Sequence, residues 1–68
     1  MIKLTPAETR LIHEMALGYS NFAIAERLCY TIYSVNAMTS RLYNKMGIPV
    51  GPDIIRRVVA INMFREIE

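Results

Sequence analysis

Residues 21–40 of the chain read NFAIAERLCYTIYSVNAMTS, a segment with the pattern of two short helices joined by a turn. In the first predicted helix, Ile24, Ala25 and Leu28 share one face, and Ala25 is small where two crossing helices approach closely. Tyr30 is apolar enough to fill the turn. The pattern predicts a helix-turn-helix unit that presents its second helix outward, with a size that fits the DNA major groove.

The second helix of this segment is predicted over residues 32–46, with Thr31 as its N-cap. Apolar residues recur on one side at helical spacing, which predicts a buried stripe of Val35, Met38, Leu42 and Met46. The opposite side carries small, polar and basic side chains, together with one aromatic. They are Tyr33, Asn36, Ala37, Ser40, Arg41 and Asn44.

A helix is also predicted before this segment, over residues 6–17. Thr5 is a suitable N-cap, Pro6 stands at the first helical position, and Glu8 completes a capping box. Gly18 is expected to end the helix.

The whole chain, residues 1–68, is expected to form a single all-α domain of four helices. Ser20 is the N-cap of the helix predicted over 21–28, and a last helix is predicted over 52–66. Its β-branched residues are also compatible with a strand, but its length and its polar breaks favour a helix. Apolar residues on more than one side predict that one side is buried in the core and the other meets a partner.

Composition limits the classes of protein that fit. Of 68 residues, 53% are hydrophobic, which favours an interface over the alternative of a well-filled core with an apolar surface. The net charge of +2 is weakly basic, as a small nucleic-acid binder can be. A single cysteine, no apolar run long enough to cross a membrane and no secretory signal predict a stand-alone cytoplasmic protein.

The chain resembles the LuxR/GerE-type (FixJ/NarL-like) helix-turn-helix domain, the effector domain of many bacterial transcription regulators. The resemblance implies four helices, a recognition helix at about 32–46, and dimerisation through the fourth helix. The matching stretches hold their order and spacing without a gap. They are Leu4 to Glu8, Gly18 to Asn21, Ile24 to Leu28, Ser34 with Val35, Leu42, and Lys45 to Ile48.

Four positions depart from the pattern of that family. The family usually has Lys and Glu where this chain has Phe22 and Ala23, and Lys and His where it has Asn36 and Met38. Cations expected near the DNA are therefore missing. Each lost phosphate contact lowers the salt dependence of binding by about one unit of slope.

Double-stranded DNA is the predicted partner, and the outward side of the helix at 32–46 is the predicted contact surface. Arg41 is expected to donate to a guanine edge or a phosphate, and Asn36 either to bind an adenine through two hydrogen bonds or to bond a phosphate. Lys45 and Arg27 would flank the groove as phosphate contacts. The predicted DNA-binding residues are Ser20, Arg27, Tyr33, Asn36, Ala37, Ser40, Arg41, Asn44 and Lys45.

A homodimer would place two recognition helices in successive major grooves, about 34 Å apart, on a pseudo-palindromic site. The predicted dimer interface is Ile55, Val58, Val59, Asn62 and Met63. The second hypothesis is an interaction module that binds another LuxR-type regulator through the fourth helix instead of binding DNA. A sigma-factor-like region is a third and weaker one.

No catalytic, metal or cofactor site is predicted. His13 has no second histidine, paired carboxylate or cysteine at the spacing of a metal site or a catalytic triad. Cys29 is expected to be a small residue that fills the turn. A Gly-rich phosphate loop and a nucleophile elbow are absent from the sequence. We therefore expect a binding protein and not an enzyme.

Overall fold

The computed structural model describes residues 3–67, with side chains described to Glu66, as four α-helices. They are α1 (Pro6–Ala16), α2 (Asn21–Leu28), α3 (Ile32–Lys45) and α4 (Asp53–Ile67). This part of the chain contains no strand, so the helical interpretation of the last segment is confirmed. Each bound lies within one residue of its prediction. The radius of gyration of 11.0 Å is that of a compact chain of this length.

Each of the first three helices begins at a hydroxyl residue that satisfies a free backbone N–H group. Thr5 Oγ1 accepts from the Glu8 amide at 3.1 Å, and Glu8 Oε1 accepts from the Thr5 amide at 2.8 Å. Ser20 and Thr31 accept in the same way at the starts of α2 and α3. The three predicted N-caps and the capping box are confirmed.

The ends of the same three helices are also alike. Gly18, Cys29 and Gly47 adopt positive φ angles of 94°, 59° and 72°. The following residue then donates its backbone N–H to the carbonyl five residues back, as Tyr30 does to Ala25 at 2.8 Å. This geometry satisfies the free carbonyls of a helix end and turns the chain sharply.

The turn between α2 and α3 therefore differs from the prediction. Tyr30 was expected to fill the turn, but it is 37% exposed. The turn is closed instead by the hydrogen bond from its backbone amide to the Ala25 carbonyl. Cys29 was expected to be a small filling residue and is exposed instead. Both predictions are wrong because the left-handed backbone at Cys29 shapes the turn through main-chain hydrogen bonds, which require no buried side chain.

The core lies where all four helices meet. It contains Leu11, Ile12, Met15, Ile24, Ala25, Val35, Leu42, Tyr43, Met46, Ile48, Ala60 and Phe64. The predicted stripe on α3 is correct at Val35, Leu42 and Met46, whereas Met38 is only half-buried. Thr39 and Tyr43, four and eight residues after Val35, are buried instead. The buried side of α3 is therefore rotated from the predicted one, and Thr39 satisfies its hydroxyl by donating to the Val35 carbonyl at 2.8 Å.

The α4 helix has one side in the core and one side in solvent. Ala60 and Phe64 are buried, and Ile61 and Met63 pack against the core. The exposed apolar side chains at the start of the helix form a surface that we call the apolar α4 face, and they are Ile54, Ile55, Val58 and Val59. Met63, predicted to be at a dimer interface, is half-buried and packs partly against the core of its own chain. None of the described helices is both long and apolar enough to pass through a bilayer.

Candidate nucleic-acid interface

The outward side of α3 presents a row of polar side chains. Its side chains are exposed except for Ala37, which is half-buried, and Tyr33 is 82% exposed. The sequence of α3 contains no acidic residue, so this surface carries only neutral and positive groups. We call it the polar α3 face, and its residues are Tyr33, Asn36, Ala37, Ser40, Arg41 and Asn44.

Arg41 is the cation of the polar α3 face, and it lies on the side of the face next to α1. Within residues 3–66, its guanidinium takes part in no hydrogen bond or ion pair. It borders a small cleft together with Thr5, Ala7, Glu8 and Met38. Its charge is therefore available to an anionic partner without the loss of an existing contact.

Lys45 is held at the end of α3 by an acidic residue of another helix. Its Nζ lies 2.8 Å from Glu8 Oε1, the same oxygen that accepts from the Thr5 amide. The hydrogen bond from Lys45 is the main reason that the pKa of Glu8 is lowered from its ordinary value. The lysine is still more than one third exposed, so a phosphate competes with Glu8 for it.

Arg27 is directed along the protein surface toward α1. Its Nε lies 2.5 Å from Glu14 Oε1, and its guanidinium lies 4.1 Å from the centre of the Tyr19 ring. Glu14 is buried, and the hydrogen bond from Arg27 lowers the pKa of its carboxyl group. The pairing compensates the burial of that carboxylate. Arg27 therefore has a structural task that its position in the sequence did not reveal.

Asn36 belongs to a hydrogen-bonded chain that connects three helices. Its Oδ1 accepts from Asn21 Nδ2 at 3.0 Å. Asn21 Oδ1 accepts in turn from Arg57 Nη1 at 3.2 Å, and Arg57 Nη2 donates to the Tyr19 carbonyl. The chain joins α4 to the start of α2 and to the polar α3 face.

The structure thus divides the nine predicted contact residues into two groups. Six of them make up the polar α3 face. The other three lie outside it: Ser20 accepts from the Ala23 amide as a helix cap, and Arg27 and Lys45 are paired with carboxylates. Of the three cations among the predicted contacts, Arg27 and Lys45 are therefore already paired with carboxylates, and Arg41 is not.

Several residues that organise this surface were missed in the sequence. Asn21 and Arg57 are 36 positions apart, and Glu14 and Arg27 are 13 apart, so no short motif joins them. One signal was available for Glu14. It falls among Leu11, Ile12 and Met15 on the apolar side of α1, and a charged residue in such a position is expected to have a partner.

Among the described side chains, no group of three or more histidine, cysteine and acidic residues is placed so that it could hold a metal ion. Comparisons of the chain with protein-family models, with curated proteins and with solved structures found no match. The function is therefore inferred from the polar α3 face itself.

Proposed function

We propose that the chain is a DNA-binding transcription regulator in which α2, its turn and α3 act as a helix-turn-helix. In this arrangement α3 lies in the major groove and α2 crosses the backbone. An α3 of 14 residues is about 21 Å long at 1.5 Å per residue. The major groove is about 12 Å wide and admits one such helix.

The observation that carries the proposal is the chemistry of the polar α3 face. It combines hydroxyl, amide and guanidinium groups, which are the groups that contact phosphates and base edges, with a complete absence of carboxylates in α3. Arg41 belongs to this face and has no ion-pair partner among the described residues. A protein surface that only solubilises a helix commonly mixes charges of both signs, as α1 and α4 do here.

The apolar α4 face supports binding as a dimer. Ile54, Ile55 and Val58 are all more than half exposed, and together with Val59 they recur along one side of the helix. A second copy that covers this face would bury side chains that a monomer leaves in water. Pairing through α4 would set two α3 helices about 34 Å apart on successive major grooves.

A salt titration on a mixed-sequence duplex tests the proposal. A DNA-binding protein has an affinity that falls linearly with salt on logarithmic axes, with a slope of about 0.9 for each phosphate neutralised. We expect measurable binding at low salt. The slope should correspond to at least one neutralised phosphate per chain, which is about 0.9. Absence of binding at low salt would rule out the proposal.

A second candidate function is supported by the exposed aromatic residues. Phe22 is 72% exposed and Tyr33 is 82% exposed, and each is the second residue of its helix. Exposed aromatics are typical of protein interfaces. In this alternative the chain binds another regulator of the LuxR type. Replacing both aromatics by Ser would then abolish binding to that regulator. If the chain acts only on DNA, the replacement of Phe22 alone should change its DNA affinity little.

A further inference from the structure

The chain of Arg57, Asn21 and Asn36 has a direction that is fixed by chemistry. An arginine guanidinium carries donors alone, so the atom of Asn21 that faces Arg57 must be its oxygen. The other end of the Asn21 amide is then its nitrogen, which can only donate. The atom of Asn36 that faces Asn21 must therefore be an oxygen.

From this polarity we infer that Asn36 presents its side-chain nitrogen to DNA as a pure donor, and that Arg57 is the positioning residue that sets it. The inference rests on the proposed function and narrows the chemistry of one contact. Recognition of adenine by an asparagine requires both the oxygen and the nitrogen to face the base. With Oδ1 of Asn36 turned to α2, the contact is restricted to an acceptor on the DNA.

Two kinds of acceptor have this chemistry: a phosphate oxygen, and a single acceptor atom on a base edge such as O6 or N7 of guanine, N7 of adenine or O4 of thymine. Both receive a hydrogen bond without returning one. Asn36 is exposed, and within residues 3–66 its Nδ2 has no acceptor, so a bound DNA group would not displace a contact of the protein. The assignment excludes one of the two roles that the sequence allowed for Asn36 and keeps the other.

The replacement Asn21→Asp reverses the direction of the hydrogen bond between residues 21 and 36 without changing the shape of the side chain. An aspartate still accepts from Arg57, but its second oxygen also accepts, so Asn36 must rotate and donate toward residue 21. Its oxygen then faces the DNA. Asn21 is the first residue of α2, where a carboxylate is favourable for the helix, and we expect the variant to fold.

Nuclear magnetic resonance of the free protein tests the polarity without any DNA. In the wild-type chain, we expect one side-chain amide proton of Asn21 to show the small temperature coefficient of a hydrogen-bonded proton, and both amide protons of Asn36 to behave as solvated. In the Asn21→Asp variant, one Asn36 proton should become hydrogen-bonded. A hydrogen-bonded Asn36 proton in the wild-type chain would overturn the inference.

Binding to fluorescent duplexes tests the contact. The control Phe22→Asp adds the same charge one residue further along α2, at an exposed position. We expect Asn21→Asp to bind about tenfold more weakly than this control, the worth of one hydrogen bond to a charged group. Equal affinities of the two variants would overturn the inference.

The choice of duplex separates guanine from the other acceptors. The same additional loss on an A·T-only duplex and on a mixed-sequence duplex identifies a phosphate or an acceptor on an A·T pair, and a loss confined to the mixed duplex identifies guanine. If the wild-type chain binds neither duplex, the proposed function fails, whereas the amide-proton measurement still decides the polarity of Asn36.

Discussion

Arg27 of α2 places its Nε 2.5 Å from Oε1 of Glu14 in α1, and this pair connects the predicted helix-turn-helix to the helix that supports it. Glu14 is a buried carboxylate among apolar neighbours, so the pair removes what would otherwise be an unpaired charge in the core. The arginine also covers the ring of Tyr19. The orientation of α2 on α1 therefore depends on an electrostatic contact as well as on apolar packing.

This pair predicts how acid affects stability. The hydrogen bond from Arg27 lowers the pKa of Glu14 below its ordinary value of 4.5, so the folded chain binds that proton more weakly than the unfolded chain. The stabilising contribution is present above pH 4.5 and is lost as the pH falls through the lower folded pKa. Urea unfolding across this range should show a flatter pH dependence for Glu14→Gln than for the wild-type chain.

Arg27→Met is the matched variant, because it removes the other half of the pair and keeps a long side chain. It should flatten the same pH range. Glu26→Gln, which removes an exposed carboxylate from α2, should leave the additional acid sensitivity in place. If Glu14→Gln retains the full pH dependence, the ion pair does not stabilise the fold.

Tyr43 gives a second prediction, at alkaline pH. Its hydroxyl is buried and has no hydrogen-bond partner among the described residues, and its ring lies under the guanidinium of Arg56. Burial, followed by the negative charge of Asp53, raises its pKa from 10.0 to about 12. The neutral phenol is thus favoured in the folded state, and this contribution is lost as the pH rises from 10 toward 12.

Tyr43→Phe should remove that alkaline loss. At neutral pH it should change the free energy of unfolding by less than about 1 kcal/mol, because the deleted hydroxyl makes no internal hydrogen bond in this part of the chain. Tyr43→Ala should cost about 3–5 kcal/mol, since it empties a core position. A large loss of stability in Tyr43→Phe at neutral pH would show that the hydroxyl has an important partner.

In the proposed DNA complex, Glu8 would limit the contribution of Lys45. Glu8→Gln keeps an oxygen for the Thr5 amide but removes the charge that holds Lys45. We expect the variant to bind DNA several-fold more tightly at low salt, with a steeper salt dependence, because the lysine becomes free to contact a phosphate. Loss of the exposed pair should cost less than about 1 kcal/mol of stability.

Glu26→Gln produces the same change in net charge and serves as the control for long-range attraction. An equal gain in both variants would mean that net charge alone explains the effect and that Lys45 does not contact DNA. The affinities are measured by fluorescence anisotropy of a labelled duplex over a range of salt concentrations.

The apolar α4 face predicts the oligomeric state. Val58→Glu places a charge in the middle of this face, and sedimentation equilibrium should show a dimer for the wild-type chain and a monomer for the variant. Thr9→Glu, at an exposed position of α1, adds the same charge and should remain a dimer. A monomeric wild-type chain at high concentration would exclude pairing through α4.

The choice of Val58 for this experiment follows from the structure. Ile61, three residues further along α4, packs against the core, so a charge at that position would unfold the chain and leave the result ambiguous. Measurements of unfolding at low concentration should show Val58→Glu within about 0.5 kcal/mol of the wild-type chain, as is usual for a surface substitution.

Local signals in the sequence were sufficient for the helices. Thr5, Ser20 and Thr31 are capping residues directly before periodic apolar patterns, and Gly18 and Gly47 are typical helix ends. These signals act within a few residues, so they are legible without tertiary structure. For α2 the sequence predicted the end of the helix but not its geometry, because a left-handed conformation is not expected of a cysteine such as Cys29.

The details of the polar surface required the fold. The sequence identified the residues of the polar α3 face, but it could not show that Asn36 is oriented by Asn21 and Arg57, or that Lys45 is held by Glu8. Such contacts depend on how distant helices pack. The burial of Tyr43 was missed for a similar reason, since this side chain is amphipathic and its burial is decided by the neighbouring helices.

Whether the polar α3 face binds DNA is tested by the variant Arg41→Ala. Binding of a mixed-sequence duplex is measured against salt for the wild-type chain, for Arg41→Ala and for Arg65→Ala, which removes an exposed arginine from α4. The predicted result is an affinity for Arg41→Ala about tenfold below that of the wild-type chain and of Arg65→Ala. Equal binding by all three proteins would show that Arg41 and the polar α3 face do not contact the DNA.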